Sequence, residues 1–133
     1  MDINYTKRVF AVQNTLDRID ELSLLNKGWF DGDQGEFLNI TSVCNAKYLL
    51  TQLILDYPSL PTPYVYPTPE GGLQAEWTIK NTWALEVLFS HSGIISDFEA
   101  TNIVTGEERK YEIGFAALHT ISHNMQYFLS SLS

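Results

Sequence analysis

The chain carries a single cysteine, Cys44, so no intrachain disulfide can form. It is also short of bases: eight Lys and Arg stand against sixteen Asp and Glu, a net charge of −8. That shortage disfavours direct nucleic-acid binding, because phosphates demand a basic face. An anionic membrane surface is disfavoured for the same reason. No apolar run reaches spanning length, and the opening MDINYTKRVF lacks the apolar core of a secretory leader. The expected location is cytoplasmic, with no membrane association. The chain contains no GxSxG, GxxxxGK[ST] or GxGxxG, so neither a nucleophile elbow nor a phosphate cradle is signalled. Internal repeats, low-complexity tracts and domain linkers are missing as well.

What is present fits one domain. The 133 residues are 44% hydrophobic and only 18% charged, which argues for a packed core over disorder. Aromatics reach 13%, enough for an aromatic core or for aromatics left outside for a partner. The expected class is α+β over residues 1–133. An N-terminal helical hairpin (5–57) precedes a three- to five-stranded antiparallel meander (63–113), and a C-terminal helix (115–132) packs on the sheet.

The first helix is read over 5–25, with Asn4 as its cap and Gly28 as its stop. Val9, Val12, Leu16, Ile19, Leu22 and Leu25 would form its buried stripe. The second runs from Ser42 to Asp56 with Thr41 as N-cap and Pro58 ending it. Between them lies a Gly-rich loop that Trp29 and Phe30 are expected to pin to the core.

The most distinctive stretch is Pro58–Phe89. Its prolines confine Tyr64-Val65-Tyr66 to a sheet edge. Thr68-Pro69-Glu70-Gly71-Gly72 is turn chemistry. Leu73, Ala75, Trp77 and Ile79 alternate with polar residues, as do Trp83, Leu85, Val87 and Phe89. A three-residue loop, Lys80-Asn81-Thr82, makes the two apolar faces coincide, pairing Ile79 with Trp83 and Trp77 with Leu85. A third main strand falls within 94–104, with Ile95 and Phe98 marking its face. A short strand follows at 109–113. Leu118, Ile121, Met125, Phe128 and Leu132 mark the buried stripe of the last helix.

The hairpin register places Glu76 opposite Glu86 on the outer face. Crowded carboxylates raise one pKa and can serve general acid–base chemistry, so this pair is the catalytic candidate. A solvated sheet face with Lys80 nearby is the preferred account of the pair, and the catalytic reading is the weaker one. His119 and His123, four apart on the last helix, suit two ligands on one metal, but no third ligand is evident. Asp31 and Asp33 invite a calcium-loop reading that fails, because Glu36 and Ser42 stand where the loop needs Gly and Glu. Cys44 is read as a buried or half-buried spectator. No cofactor is called for.

Acidic clustering is the stronger lead. Asp17, Asp20, Glu21, Asp31, Asp33 and Glu36 lie within twenty residues and would form one negative patch if the loop folds against helix 1. Trp29, Tyr64, Tyr66 and Trp77 are aromatic anchor candidates.

Two stretches also carry a resemblance. Lys27-Gly28-Trp29-Phe30-Asp31-Gly32 and Tyr66-Pro67-Thr68-Pro69-Glu70-Gly71-Gly72-Leu73-Gln74-Ala75-Glu76-Trp77 resemble the signatures of a widespread family of small uncharacterised bacterial and phage proteins. Those signatures are a Gly-Trp-Asp-Gly-like loop and a Pro-Thr-Pro-Asp-Gly-Gly…Glu-Trp hairpin. Here Phe30 is inserted in the first and Glu70 replaces the aspartate of the second. The resemblance covers roughly residues 20–90 and implies a small α+β protein of mobile or accessory genes; it brings no activity and no site residue.

The functional expectation is a non-enzymatic acidic protein that binds and occludes a basic protein partner, as an antitoxin, immunity factor or phage-borne anti-defence inhibitor does. The alternatives are a small hydrolase or metal-dependent enzyme using the paired glutamates and the histidines, and a self-assembling module, such as a homodimer, pairing through Tyr64–Tyr66.

Overall fold

The computed structural model describes residues 3–30, 34–92, 98–111 and 117–132. It is an α+β fold with α1 (Ile3–Leu22), α2 (Ile40–Asp56), β1 (Tyr64–Pro67), β2 (Leu73–Ile79), β3 (Trp83–Phe89), β4 (Phe98–Asn102), β5 (Glu108–Tyr111) and α3 (Ala117–Ser131). The strands form one antiparallel meander in the order β1-β2-β3-β4-β5, with the helices on one face.

The β2–β3 register is the expected one: Ile79 pairs with Trp83, Trp77 with Leu85 and Glu76 with Glu86. Thr82 donates its N–H to the Ile79 carbonyl at 3.0 Å, closing the turn, while Lys80 and Asn81 take φ of 52° and 55°. Because side chains alternate, the pairing puts Leu73, Ala75, Trp77, Ile79, Leu85, Val87 and Phe89 on one buried face. Trp77 is 2% exposed, so it is a core residue and no partner anchor.

Helix α2 presses Val43, Ala46, Leu49, Leu50 and Leu53 against that face. Its cap is Asn39, not Thr41. The Asn39 side-chain oxygen accepts from the backbone N–H groups of Thr41 (2.9 Å) and Ser42 (3.2 Å), satisfying donors that the first turn leaves unpaired.

Helix α1 runs antiparallel to α2, as Arg8 Nη1 donating to the Leu55 carbonyl at 3.1 Å and Lys47 meeting Asp20 at 2.5 Å both require. Asn4 lies inside this helix instead of capping it. The helix ends at Leu22, before Gly28. Ser23 donates its N–H and its Oγ to the Ile19 carbonyl, and i→i+3 bonds from Leu24 and Leu25 tighten the exit. The expected stripe is buried only in part. Thr15, Ile19 and Leu22 reach the core, Val12 and Leu16 are half-buried, and Val9 is 44% exposed. Helix α1 packs on α2 and the edge strand β1, not on the sheet centre, so only its C-terminal half meets the core.

The other end of the sheet is held by aromatic packing. Phe128 of α3 sits edge-on to Trp83 (5.3 Å between centroids) and to Phe98 (5.8 Å), and Phe98 stacks on Tyr111 at 5.4 Å. Arg109 lies 4.6 Å over the Trp83 ring and donates to Ser131 Oγ at 3.1 Å, tying β5 to α3. Phe98 and Ala100 are the buried residues of β4, while Ile95 and Ile113 lie outside the described residues. In α3 Met125 and Phe128 are buried; the side chains of Leu118 and Ile121 are also outside the described set.

The two motif stretches dock on each other. Gly28 donates to the Gly35 carbonyl at 2.7 Å and Phe30 to that of Gln34 at 2.6 Å, closing a small loop. Trp29 Nε1 donates to the Glu36 carbonyl at 2.9 Å, so this indole clamps its own loop. Phe30 is 43% exposed, and neither aromatic belongs to the core. Glu36 then donates to the Pro69 carbonyl (2.9 Å) and Asn39 to that of Gly71 (2.8 Å). Gly71 takes a φ of 97°, and a Cβ there would stand 2.6 Å from the Phe37 carbonyl oxygen. Only glycine fits a left-handed backbone against another main chain.

Candidate functional site on the outer sheet face

The face of the sheet turned away from the helices carries the side chains that alternate with the core set. Pairing across all five strands aligns Tyr64, Glu76, Glu86, Glu99 and Lys110 in one row. Three carboxylates thus stand side by side on adjacent strands, an arrangement that like-charge repulsion disfavours. Local hydrogen bonds hold it in place. The Tyr66 hydroxyl donates to Glu76 Oε1. Gln74 Nε2 lies 2.5 Å from Glu86 Oε2 and 3.4 Å from Glu76 Oε1, so one amide bridges both carboxylates. Lys110 approaches Glu99 at 3.6 Å, an exposed pair of small energetic weight.

The electrostatics follow from this crowding. Partial burial, then the charges of Glu76 and Glu99, push the Glu86 carboxyl above its usual range, against the opposing pull of the Gln74 hydrogen bond. Burial and the bond donated to Glu76 likewise hold the Tyr66 phenol well above its usual value, so it remains a protonated donor. Tyr64, 65% exposed, leans on the Tyr66 ring with centroids 5.8 Å apart. The site is therefore an aromatic pair at the edge beside a fenced row of carboxylates.

The expected helix-1 patch looks different in three dimensions. Asp20 pairs with Lys47 at 2.5 Å, Glu21 with Arg18 at 3.5 Å and Glu36 with Lys27 at 3.9 Å. Asp17 accepts from Gln13 at 2.8 Å. Asp20, Glu21 and Glu36 thus each have a basic partner, in exposed pairs of small energetic weight. Asp31 and Asp33 lie outside the described residues.

The edge strand is blocked on its free side. Arg18 Nε donates to the Val65 carbonyl at 3.2 Å, occupying an acceptor that a second strand would use, and Pro67 closes the strand. This geometry works against self-assembly through Tyr64–Tyr66. His123 is exposed, and the His119 side chain lies outside the described set. Among the described residues no group of three His, Cys, Asp or Glu is placed to hold a metal. Cys44 is exposed on α2, contrary to the expected burial.

Glu99 and Gln74 escaped sequence reasoning. The β2–β3 pairing follows from one short loop, but the partner of Glu86 on β4 depends on the longer connection after Phe89, whose length alone sets no register. Gln74 was visible only as an outward position.

Comparisons of the chain with protein-family models, curated proteins and solved structures find no match. Among the described residues no helix is long and apolar enough to cross a membrane.

Proposed function

We propose that the protein is a non-enzymatic interaction protein that binds a basic protein partner through the outer sheet face and occludes it. The observation that supports this reading is the row Glu76–Glu86–Glu99 beside Tyr64 and Tyr66. Three carboxylates kept adjacent at a cost in repulsion, with the exposed Tyr64 and half-buried Tyr66 next to them, suit an arginine- or lysine-bearing surface. Approaching cations relieve the repulsion, and the tyrosine rings offer area and a π face. The contact is assigned to the sheet, where the carboxylates crowd one another, in place of the helix-1 cluster, where Asp20, Glu21 and Glu36 already have basic partners. The resemblance to small bacterial and phage proteins fits an antitoxin, immunity or anti-defence role for such a binder.

The experiment is affinity purification from the native cell with three baits: wild type, Glu76→Gln/Glu86→Gln/Tyr64→Ala, and Asp17→Lys/Asp20→Lys/Glu21→Lys. A stoichiometric basic partner should be retained by the wild type and the helix variant and lost by the sheet variant, and its own activity should be suppressed on binding. Retention by the sheet variant refutes the assignment. So does a catalytic activity that Glu76→Gln/Glu86→Gln abolishes while binding survives.

A further inference from the structure

At the β2–β3 turn end of the sheet, a groove of about 530 Å³ opens between the segment 58–61, the end of β2 and the last turn of α3. Its walls are Pro58, Leu60, Pro61, Ile79, Leu129 and Leu132; its polar groups are Ser59, Thr78 and Lys80. That volume lies in the range of small-molecule sites, roughly 300–1,000 Å³. A second hollow of about 210 Å³ shares Pro58, Leu60 and Pro61 and adds Lys7 and Arg8. A chain with twice as many acids as bases thus lines two adjoining hollows with three bases and no acid.

Arg8 is engaged with the Leu55 carbonyl, but Lys80 forms no ion pair among the described residues. Its φ of 52°, like the 55° of Asn81, belongs to the turn between β2 and β3. Lys80 thus stands on the lip of an apolar groove lined by no carboxylate, a positive charge with no acidic partner among the described residues.

We propose that this groove binds a small apolar carboxylate, a medium-chain acyl acid or an aryl acid of similar size. The carboxylate accepts hydrogen bonds from the Lys80 ammonium, and the apolar body lies against Leu60, Ile79, Leu129 and Leu132. Charge complementarity selects an anion, and the single cation at the rim selects one acidic head group. The site is separate from the carboxylate row and does not rest on the partner reading.

The test is a titration of the isotopically labelled full chain with octanoate, and with octanol as the neutral probe, followed by amide chemical shifts. Octanoate should give saturable shifts at Ser59, Thr78, Ile79, Lys80 and Leu129, and bind about tenfold tighter than octanol. Lys80→Gly, which removes the cation and relieves the left-handed lysine, should melt no lower than wild type yet lose that tenfold preference; Lys80→Arg should keep it. The proposal is overturned by unsaturable shifts, by shifts centred elsewhere, by equal binding of octanol, or by a Lys80→Gly variant that binds octanoate as wild type does.

Discussion

Replacing Glu86 by glutamine should stabilise the protein. The side chain stands between Glu76 and Glu99 in the cross-strand row, and partial burial, then the charges of both neighbours, push its carboxyl upward. Two unit charges about 6 Å apart repel by roughly 0.7 kcal/mol in water, and by more where the effective dielectric is lower. Glu86 is half-exposed, so screening keeps the interaction toward the low end. With two carboxylate neighbours, one of them shared with Lys110, a gain of about 1 kcal/mol at neutral pH and low salt is expected. Glutamine is nearly isosteric and keeps an oxygen to accept from Gln74, so the packing is conserved. The direction with pH is determined. A carboxyl whose folded pKa is raised destabilises the fold above that pKa and does not below the unfolded one. The advantage of Glu86→Gln should therefore be absent at about pH 3, grow through the window above the usual glutamate value, and level off near neutrality. Added salt at about 1 M should shrink it. Urea unfolding monitored by tryptophan fluorescence at several pH values measures this. A variant that is neutral or less stable at pH 7 in low salt, or whose gain is the same at pH 3, would refute the repulsive row. Coupled with the loss of partner binding expected of the sheet-face variant, it would mark the row as a surface kept for function at the expense of stability.

Two further substitutions probe the scaffold. Thr15 Oγ1 is buried with no hydrogen-bond partner among the described residues. Thr15→Val replaces that hydroxyl by a methyl group at equal helix propensity and should raise stability by about 1 kcal/mol in the same unfolding assay, whereas Thr15→Ser should not. Gly71→Ala forces a side chain into a left-handed backbone 2.6 Å from the Phe37 carbonyl oxygen. It should destabilise by about 2–4 kcal/mol and lower the melting temperature sharply; a change within 0.5 kcal/mol or so would mean that the two motif loops do not dock as described.

Local pattern was enough for much of this molecule. Period-2 alternation and a three-residue turn are self-contained, so the β2–β3 pairing, its buried face and the opposition of Glu76 to Glu86 could be read directly. Proline placement marked β1 as an edge, and the 3.6-residue period marked α2 and α3. Packing decided the rest, because it joins residues whose separation carries no local signal. Burial of the Val9–Leu25 stripe depended on where α1 rests, and it rests on the edge of the sheet. Among the acids of α1, Asp20 meets Lys47 and Glu21 meets Arg18, pairings that span the fold or a helix turn and were not read from the sequence. Glu99 gained its place because β4 pairs in a register that a longer connection leaves open. Asn39 became the cap by two bonds to backbone N–H groups, over a threonine with an equally good side chain. Chemistry and period are local properties of a chain; which charges are left unanswered on which face is a property of the folded whole.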